Sequence, residues 1–140
     1  MSEQLFQVGV KALVRDDQGR VLLVRETTHQ SIYWDIPGGR MEPGEQLESA
    51  LLRELSEEVG VQSIAAASQL TAVLSNKQVP TNHGNVALLL VVYEVKLNDG
   101  QRISPGELGL ETAWQSPTEA AKLLADKYPG QFCEQVSGLV

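Results

Sequence analysis

The segment 39–61, GRMEPGEQLESALLRELSEEVGV, constrains the fold of this chain more than any other stretch. Its aliphatic residues recur at helical spacing, a glycine-rich turn leads into it, and Gly60 offers a C-terminal stop. On such a helix Glu54, Glu57 and Glu58 share one edge, because residues three and four apart are neighbours. An aliphatic stripe lies beside that edge, so the helix can be buried on one side while its carboxylates line a cleft.

The acidic edge of this helix predicts a site for a divalent metal ion. Glu54 and Glu58 stand four residues apart, a like-charge spacing that destabilises an isolated helix, and a bound cation would offset the repulsion. Carboxylate oxygens suit Mg²⁺ or Mn²⁺, and such ions neutralise phosphate charge and activate water. A glutamate not fully committed to the ion could act as a general base. Arg53 lies next to Glu57 on the helix and can hold that carboxylate in place.

The spacing of the whole segment fits a longer pattern. Taken alone, an acidic pair such as Glu57-Glu58 is most simply a solvated helix face. The pattern is a glycine, five residues, a glutamate, seven residues, and then Arg-Glu-aliphatic-any-Glu-Glu-any-Gly-aliphatic. Its positions are filled by Gly39, Glu45, Arg53, Glu54, Leu55, Glu57, Glu58, Gly60 and Val61. With every defining position met, the sequence resembles the Nudix hydrolase family through a complete Nudix box.

The resemblance implies a role for each polar residue of the box. In that family the box forms a loop–helix–loop that binds divalent ions and cleaves a nucleoside diphosphate linked to another group. Glu54, Glu57 and Glu58 are then the metal-binding set, and Glu54 or Glu57 also acts as the base. Arg53 belongs to the catalytic group by orienting a glutamate, and Glu45 supports the loop and the helix.

The residues just before the box look like the lead-in usual in this family, Trp-Asp-Ile-Pro-Gly-Gly. The resemblance implies that Gly39, or its neighbour Gly38, offers a backbone carbonyl to a metal ion. Trp34 is expected to pack beneath the turn, and Tyr33, on the opposite strand face, is a candidate for stacking on a base. Arg40 follows the glycines directly and is the best placed basic residue to meet phosphate.

Candidates outside the lead-in and the box rest on weaker signals. Glu111 resembles an additional acid that many family members place near the metals, and Glu107 is its competitor. Each could equally be a solvated loop acid. Arg25 and Lys77 could also meet phosphate, since guanidinium and ammonium groups suit it.

The remaining sequence predicts a single α+β domain over residues 1–140. Residues 16–19, Asp-Asp-Gln-Gly, predict a hairpin turn between the first two strands, and residues 26–31 predict a polar loop. Ser116 is a helix cap followed by a proline and then a glutamate, which predicts a second helix that ends near Lys127. The strand predictions cover 8–15, 20–25, 33–36, 69–75, 86–96 and 112–115, and the first helix covers 46–59. By resemblance, this is the Nudix fold, a mixed β-sheet sandwiched between helices.

Composition excludes several classes of protein. The net charge of −7 argues against extended nucleic-acid binding, which relies on basic patches. The single Cys133 excludes an intrachain disulfide and a cysteine-based metal site. The sequence shows neither a signal peptide nor an apolar run of membrane-spanning length, so a cytoplasmic protein without membrane association is expected. Homodimers are common in that family, so the resemblance also implies a homodimer.

The function predicted is hydrolysis of a pyrophosphate bond in a nucleoside diphosphate derivative, by metal-activated water with Mg²⁺ or Mn²⁺. The substrate is a small nucleotide; an ADP-ribose-like compound, a (d)NTP, an oxidised nucleotide and a nucleotide sugar all stay open, because specificity in the family is set outside the box. The alternative is a non-catalytic nucleotide-sensing Nudix domain. A purely structural acidic helix is the third possibility.

Overall fold

The computed structural model describes residues 3–27 and 31–139. The polar loop predicted over 26–31 therefore lies partly outside the described residues. Eight strands and three helices occur within them. In chain order they are β1 (Phe6–Val14), β2 (Val21–Thr27), β3 (Ile32–Asp35), β4 (Gly38–Arg40), α1 (Leu47–Val59), β5 (Ala66–Leu74), β6 (Val79–Thr81), β7 (Gly84–Lys96), β8 (Thr112–Gln115), α2 (Pro117–Leu124) and α3 (Gly130–Ser137).

The strands form two sheets. In the larger sheet the order is β4-β1-β7-β5, with β6 paired to β7. β1 and β7 run parallel over the whole length of β1, whereas the other pairs in this sheet are antiparallel. The smaller sheet is antiparallel, with the order β3-β2-β8. The prediction of a mixed sheet is thus confirmed, and a second sheet accompanies it.

The hairpin predicted between the first two strands is largely wrong. β1 and β2 lie in different sheets, and within the described residues the ladder between them is a single bridge, Arg15 with Val21. β7 occupies one edge of β1 along its whole length, and β4 occupies the middle of the other edge at residues 9–11, so β2 has no full edge of β1 to pair with. The turn itself forms as expected: Asp16 accepts hydrogen bonds from the backbone N–H groups of Gln18 and Arg20.

Helices cover both faces of the strands, as the sandwich prediction required. Alternate residues of β1 point to opposite sides: Val10, Ala12 and Val14 join the core beneath α1, whereas Leu13 joins the core beneath α2 and α3. α1 packs on β1 and β4, and α2 packs on the smaller sheet. α1 therefore closes one hydrophobic core, and α2 with α3 closes the other.

Three elements were missed by the sequence patterns: β4, β6 and α3. α2 also ends at Leu124, three residues earlier than predicted. The pair Pro129-Gly130 begins α3 rather than merely ending α2, because a proline fits ahead of the first helical turn, where an N–H would have no partner. The predicted cap of α2 is confirmed, since the Ser116 hydroxyl accepts from the N–H of Glu119.

No helix among the described residues is long and apolar enough to cross a membrane.

Candidate active site

The Arg53 side chain donates hydrogen bonds to three glutamates of the box and to one backbone carbonyl. Its guanidinium donates to both carboxylate oxygens of Glu45, from Nε at 2.8 Å and from Nη2 at 2.9 Å. Its Nη1 donates to Glu54 at 3.1 Å and to Glu57 at 3.3 Å, and Nη2 also donates to the Arg40 carbonyl at 3.2 Å. This two-pronged contact holds the pKa of Glu45 down to about 2. One arginine thus ties the glycine-rich loop to two glutamates of α1.

Glu54 and Glu58 are buried carboxylates. Their exposed fractions are 7% and 3%. Glu54 contacts the Arg53 guanidinium, which it shares with Glu45 and Glu57. Burial raises the pKa of Glu58 to about 8, against the opposing effects of Lys11 and of the Gly38 N–H, which donates to Glu58 at 3.1 Å. Burial likewise raises the pKa of Glu54, against the opposing effect of Arg53. Negative charge at both carboxyls is therefore under-compensated in the protein alone.

The two glycines of the lead-in lie directly on these carboxylates. A Cβ on Gly39 would come within 2.5 Å of Glu54 Oε1, so a larger residue there would displace the Glu54 carboxylate. Gly38 has a φ of +139°, and a Cβ there would lie 2.0 Å from the Val10 carbonyl oxygen. The Pro-Gly-Gly sequence is therefore needed both for its backbone shape and for close approach to the helix.

Glu57 differs from its neighbours because its side chain is 31% exposed and turns toward Arg53. Glu54 and Glu57 both accept hydrogen bonds from the Arg53 guanidinium, while Glu58 accepts one from the Gly38 N–H. As the side chains stand, no three His, Cys, Asp or Glu residues within 3–27 and 31–139 converge closely enough to hold an ion. The three box glutamates nevertheless share one edge of α1, as predicted, with Arg53 between two of them.

The donor set suits a hard divalent cation. Two of the three carboxylates are withdrawn from water and resist ionisation, and a nearby dication would reverse that resistance by stabilising the charged form. Carboxylate and backbone carbonyl oxygens are the ligands that Mg²⁺ and Mn²⁺ prefer. The residues present therefore fit the ion that the acidic edge predicted.

A cavity of about 630 Å³ opens beside the glycines. Its size is that of a small-molecule site. Of the predicted residues it includes Gly39, Arg40, Tyr33 and Lys77. Among the described residues that line it, none is a box glutamate, so the cavity reaches those carboxylates only through Gly38 and Gly39.

The cavity has an apolar wall and a charged floor. Aliphatic side chains of β6 and β7 form the wall, and the half-buried Tyr33 faces two ammonium groups. Lys77 Nζ lies 5.6 Å and Lys127 Nζ 5.9 Å from the centroid of that ring. The cavity thus offers a ring and cations to an incoming ligand. The lining residues that sequence reasoning missed are Lys11, Glu26, Ser31, Asp35, Ser75, Gln78, Val79, Pro80, Leu88, Leu90 and Lys127.

A buried ionic cluster forms that floor. Asp35 is 1% exposed and accepts from Lys11, Lys127 and the hydroxyl of Tyr128. Burial works to raise the pKa of Asp35, but the two ammonium groups outweigh it and hold the pKa below its ordinary value. A signal was present in the sequence, because Lys11 interrupts an otherwise apolar strand, VGVKALV. The strand pattern could not reveal the partner of Lys11, because Asp35 lies 24 residues away in the chain.

The two candidates for an additional acid take different positions. Glu111 pairs with Arg25 at 2.8 Å, and the Glu111 carbonyl accepts from the Arg25 N–H. Both side chains are exposed, so Arg25 is engaged by Glu111. Glu107 lies in a loop that is fastened to the end of α1 by backbone bonds, from Gly106 to the Glu58 carbonyl and from Leu108 to the Glu57 carbonyl. Trp34, by contrast, is partly buried and packs against the core beneath α2 and α3, whereas packing beneath the glycine turn was expected.

Comparison with known proteins agrees with this geometry. A model of the NUDIX domain matches residues 5–135. The chain is 29% identical over 137 residues to a MutT-like protein of Streptomyces ambofaciens, covering 98% of this chain and 81% of that protein. It is 33% identical over 138 residues to the m7GpppN-mRNA hydrolase NUDT17 of Xenopus laevis, covering 90% of this chain and 47% of that protein. The chain thus spans about half the length of that second relative.

The fold is also shared with solved structures. The crystal structure of the MutT protein from Methanosarcina mazei Go1 superimposes with a TM-score of 0.70 at 22% identity, and the match covers 97% of this chain and 94% of that one. A likeness at this identity speaks for the fold, whereas the family model extends over nearly the whole chain. With the complete box over residues 39–61 and a family model over nearly the whole chain, the chain belongs to the Nudix hydrolase family.

Proposed function

We propose that this protein hydrolyses the pyrophosphate bond of a nucleoside diphosphate derivative with the aid of Mg²⁺ or Mn²⁺. One observation carries the proposal: the buried, under-compensated carboxylates Glu54 and Glu58 sit directly behind the two glycines that border a cavity of about 630 Å³. A cation would balance the carboxylates and a diphosphate together. In a chain of net charge −7, such an ion also relieves the repulsion that an anionic substrate meets.

Each box residue has a place in this reaction. Glu54, Glu57 and Glu58, with the Gly39 carbonyl, would hold the ion, which supplies Lewis acidity toward the diphosphate. Glu54 or Glu57 accepts the proton of the attacking water. Arg53 keeps both of those glutamates oriented, because one nitrogen of its guanidinium donates to each.

The substrate's other contacts come from the cavity. Tyr33 offers a half-buried ring on which a base can stack, and Arg40 lies at the glycine end, where a phosphate would emerge. Lys77 faces the same ring, and its ammonium group is paired with Asp126 at 2.7 Å. ADP-ribose-like compounds, (d)NTPs, oxidised nucleotides and nucleotide sugars all fit this description, and the names of the relatives support nucleotide chemistry in general.

A phosphate-release screen over these four compound classes tests the proposal, coupled to inorganic pyrophosphatase for the (d)NTPs and oxidised nucleotides and to a phosphomonoesterase for the ADP-ribose-like compounds and nucleotide sugars, because the reaction itself releases pyrophosphate or phosphomonoesters. Each assay is run with Mg²⁺, with Mn²⁺ and with EDTA, on the wild type and on Glu57→Gln and Glu58→Gln. We expect metal-dependent turnover that falls by roughly 100-fold or more in each variant, because each loses a ligand or a base. Glu134→Gln is the control, since Glu134 is an exposed acid on α3.

Two outcomes would overturn the proposal. Turnover at the wild-type rate in both box variants would remove the glutamates from the reaction. Tight binding of a nucleotide with no turnover of any compound would instead identify the non-catalytic sensor.

The cytoplasmic location, the single domain and the homodimer remain predictions. Cell fractionation tests the first, cooperative unfolding in calorimetry tests the second, and light scattering on the purified protein tests the third.

A further inference from the structure

We propose that Lys11 is a positioning residue of the active site: held by Asp35, its ammonium group fixes the turn at Gly38, whose N–H in turn fixes Glu58. The inference rests on the proposed function for its catalytic consequence. Its geometric part, the fixing of Gly38, stands on contacts within the protein.

The contacts of Lys11 all lead to one short segment. Its Nζ donates to Asp35 Oδ2 at 3.0 Å, to the Ile36 carbonyl at 3.3 Å and to the Gly38 carbonyl at 3.1 Å. An ammonium group has three protons, so all of its donor capacity is spent on residues 35–38. The side chain is 3% exposed, and the three contacts therefore form away from competing water.

Asp35 is held more firmly than its bond to Lys11 alone would require. Oδ1 accepts from the Tyr128 hydroxyl at 2.6 Å and from the Ile36 N–H at 2.8 Å. Oδ2 accepts from Lys127 at 2.7 Å as well as from Lys11. A carboxylate with four donors has little freedom to turn, so it can act as a rigid anchor for the ammonium group of Lys11.

Gly38 needs such an external hold. Its φ of +139° is one that side-chain-bearing residues rarely adopt, and it sits where the chain turns from β3 into β4. The Lys11 ammonium group donates to the Gly38 carbonyl, and Glu58 accepts from the Gly38 N–H. Both backbone polar groups of Gly38 are therefore hydrogen-bonded to side chains. Movement of the turn on the Lys11 side would therefore displace the donor that orients the Glu58 carboxylate.

Stability alone gives a poor reason for a lysine at this position. A buried ion pair often contributes little more than well-packed apolar residues of similar volume, because desolvation offsets the attraction. Leu13, two residues along on the same face of β1, shows that an aliphatic side chain is accommodated there. What an aliphatic residue could not do is donate to two backbone carbonyls of the turn.

The test uses Lys11→Met, which keeps the length of the side chain and removes its donors. We expect kcat to fall by roughly 10-fold or more and the Kd for Mn²⁺ to rise by roughly 10-fold, because losing the support of a ligating side chain has effects of that size. Because Lys11 also lines the cavity floor, the KM for the nucleotide is measured beside kcat: a rise in KM with kcat unchanged would mark a substrate contact and contradict the positioning role. Amide exchange by NMR should show faster exchange at Gly38, with the amides in the middle of β7 unchanged.

Two measurements separate positioning from folding. Lys11→Met leaves Asp35 paired with Lys127, so no buried carboxylate loses its last cation, and kcat should be low at temperatures where the variant is fully folded. Val136→Ala opens a small cavity in the core beneath α2 and α3 without touching the turn or Asp35; it should lower the melting temperature but leave kcat and the exchange of Gly38 at wild-type values.

Wild-type kcat in Lys11→Met, or unchanged exchange at Gly38 in that variant, would overturn the inference. Failure of the proposed function looks different. If the wild type turns over no nucleotide, that proposal falls, whereas the exchange of Gly38 still decides whether Lys11 fixes the turn.

Discussion

At the scale of single residues, the three box glutamates occupy three different environments. Glu57 is partly exposed beside Arg53, Glu54 is buried against Gly39, and Glu58 is buried behind Gly38. The pKa of Glu58 rises to about 8 through burial, so this carboxyl is partly protonated at neutral pH in the metal-free protein. Of the three box glutamates, Glu58 is therefore the one whose negative charge depends most on a bound cation.

The raised pKa of Glu58 predicts a pH-dependent stability in EDTA. The folded state keeps a proton that the unfolded state releases above its ordinary pKa of 4.5. The stabilising effect of that proton is complete below this value and is lost as the pH rises toward about 8. Glu58→Gln cannot lose it, so its advantage in unfolding free energy over the wild type should grow on the order of 3 kcal/mol between pH 5 and pH 8.

Urea unfolding at both pH values measures this difference, and Glu134→Gln serves as the exposed control. Saturating Mg²⁺ should reduce the pH dependence of the wild type, because a bound cation stabilises the ionised carboxylate. Parallel pH profiles for wild type and Glu58→Gln in EDTA would contradict the assignment.

The residues that sequence reasoning found and missed differ in one respect. The box acids and Arg53 lie within one helix, where spacing alone decides which side chains share an edge. Lys11, Asp35 and Lys127 come from three separate parts of the chain. Their meeting depends on β1 pairing with β4 and on α2 packing over β3, and no local pattern encodes either.

At the scale of elements, the C-terminal end of α1 is closed by more than its glycine cap. Gly60 takes the left-handed conformation expected of it, with φ at +69°. The loop that follows residue 103 then donates three backbone N–H groups to the last-turn carbonyls of Glu57, Glu58 and Val59. This loop is thereby fastened to the stretch of helix that carries two of the box acids.

Gly106 makes that docking possible, so Gly106→Ala should undo it. A Cβ at this position would lie 2.0 Å from the Glu57 carbonyl oxygen, against backbone that cannot yield. We expect a loss of roughly 1–3 kcal/mol in unfolding free energy, because the added methyl forces the loop away from the helix. The displacement should also reduce turnover if the end of α1 shifts with it.

Gly130→Ala is the matched control for that measurement. Nothing lies within 4 Å of a Cβ there, and the residue begins a helix, so stability should stay equal or rise slightly. Calorimetry on both variants compares them directly. Equal melting temperatures for Gly106→Ala and the wild type would show that the loop does not depend on this close approach.

At the scale of the whole molecule, two cores lie on opposite sides of the strands, and α2 and α3 close the second. Tyr128 and Phe132 stack with ring centroids 4.8 Å apart, and both side chains are buried. The hydroxyl of Tyr128 reaches Asp35 at the cavity floor, so the packing of the C-terminal helices and the ionic cluster share a residue.

Removing the Phe132 ring should therefore lower the unfolding free energy of the whole molecule. Phe132→Ala leaves a cavity in the second core and should cost about 3–5 kcal/mol. Leu108→Ala is the control, because Leu108 is 60% exposed and should change stability little. Urea unfolding of both variants gives the comparison, and an equal loss in the two would show that α3 adds little to the core.

The sequence by itself determined the reaction class and the helix that carries it. Spacing within one helix is local, so residues 39–61 were readable as an acidic edge with an arginine and a glycine-rich entry before any contact was known. The tertiary structure decided which of those acids are buried, which side chains form the cavity and how Lys11 reaches Gly38. Those features arise where β1, β3, β4 and the end of α2 meet, and strand pairing at long range sets them.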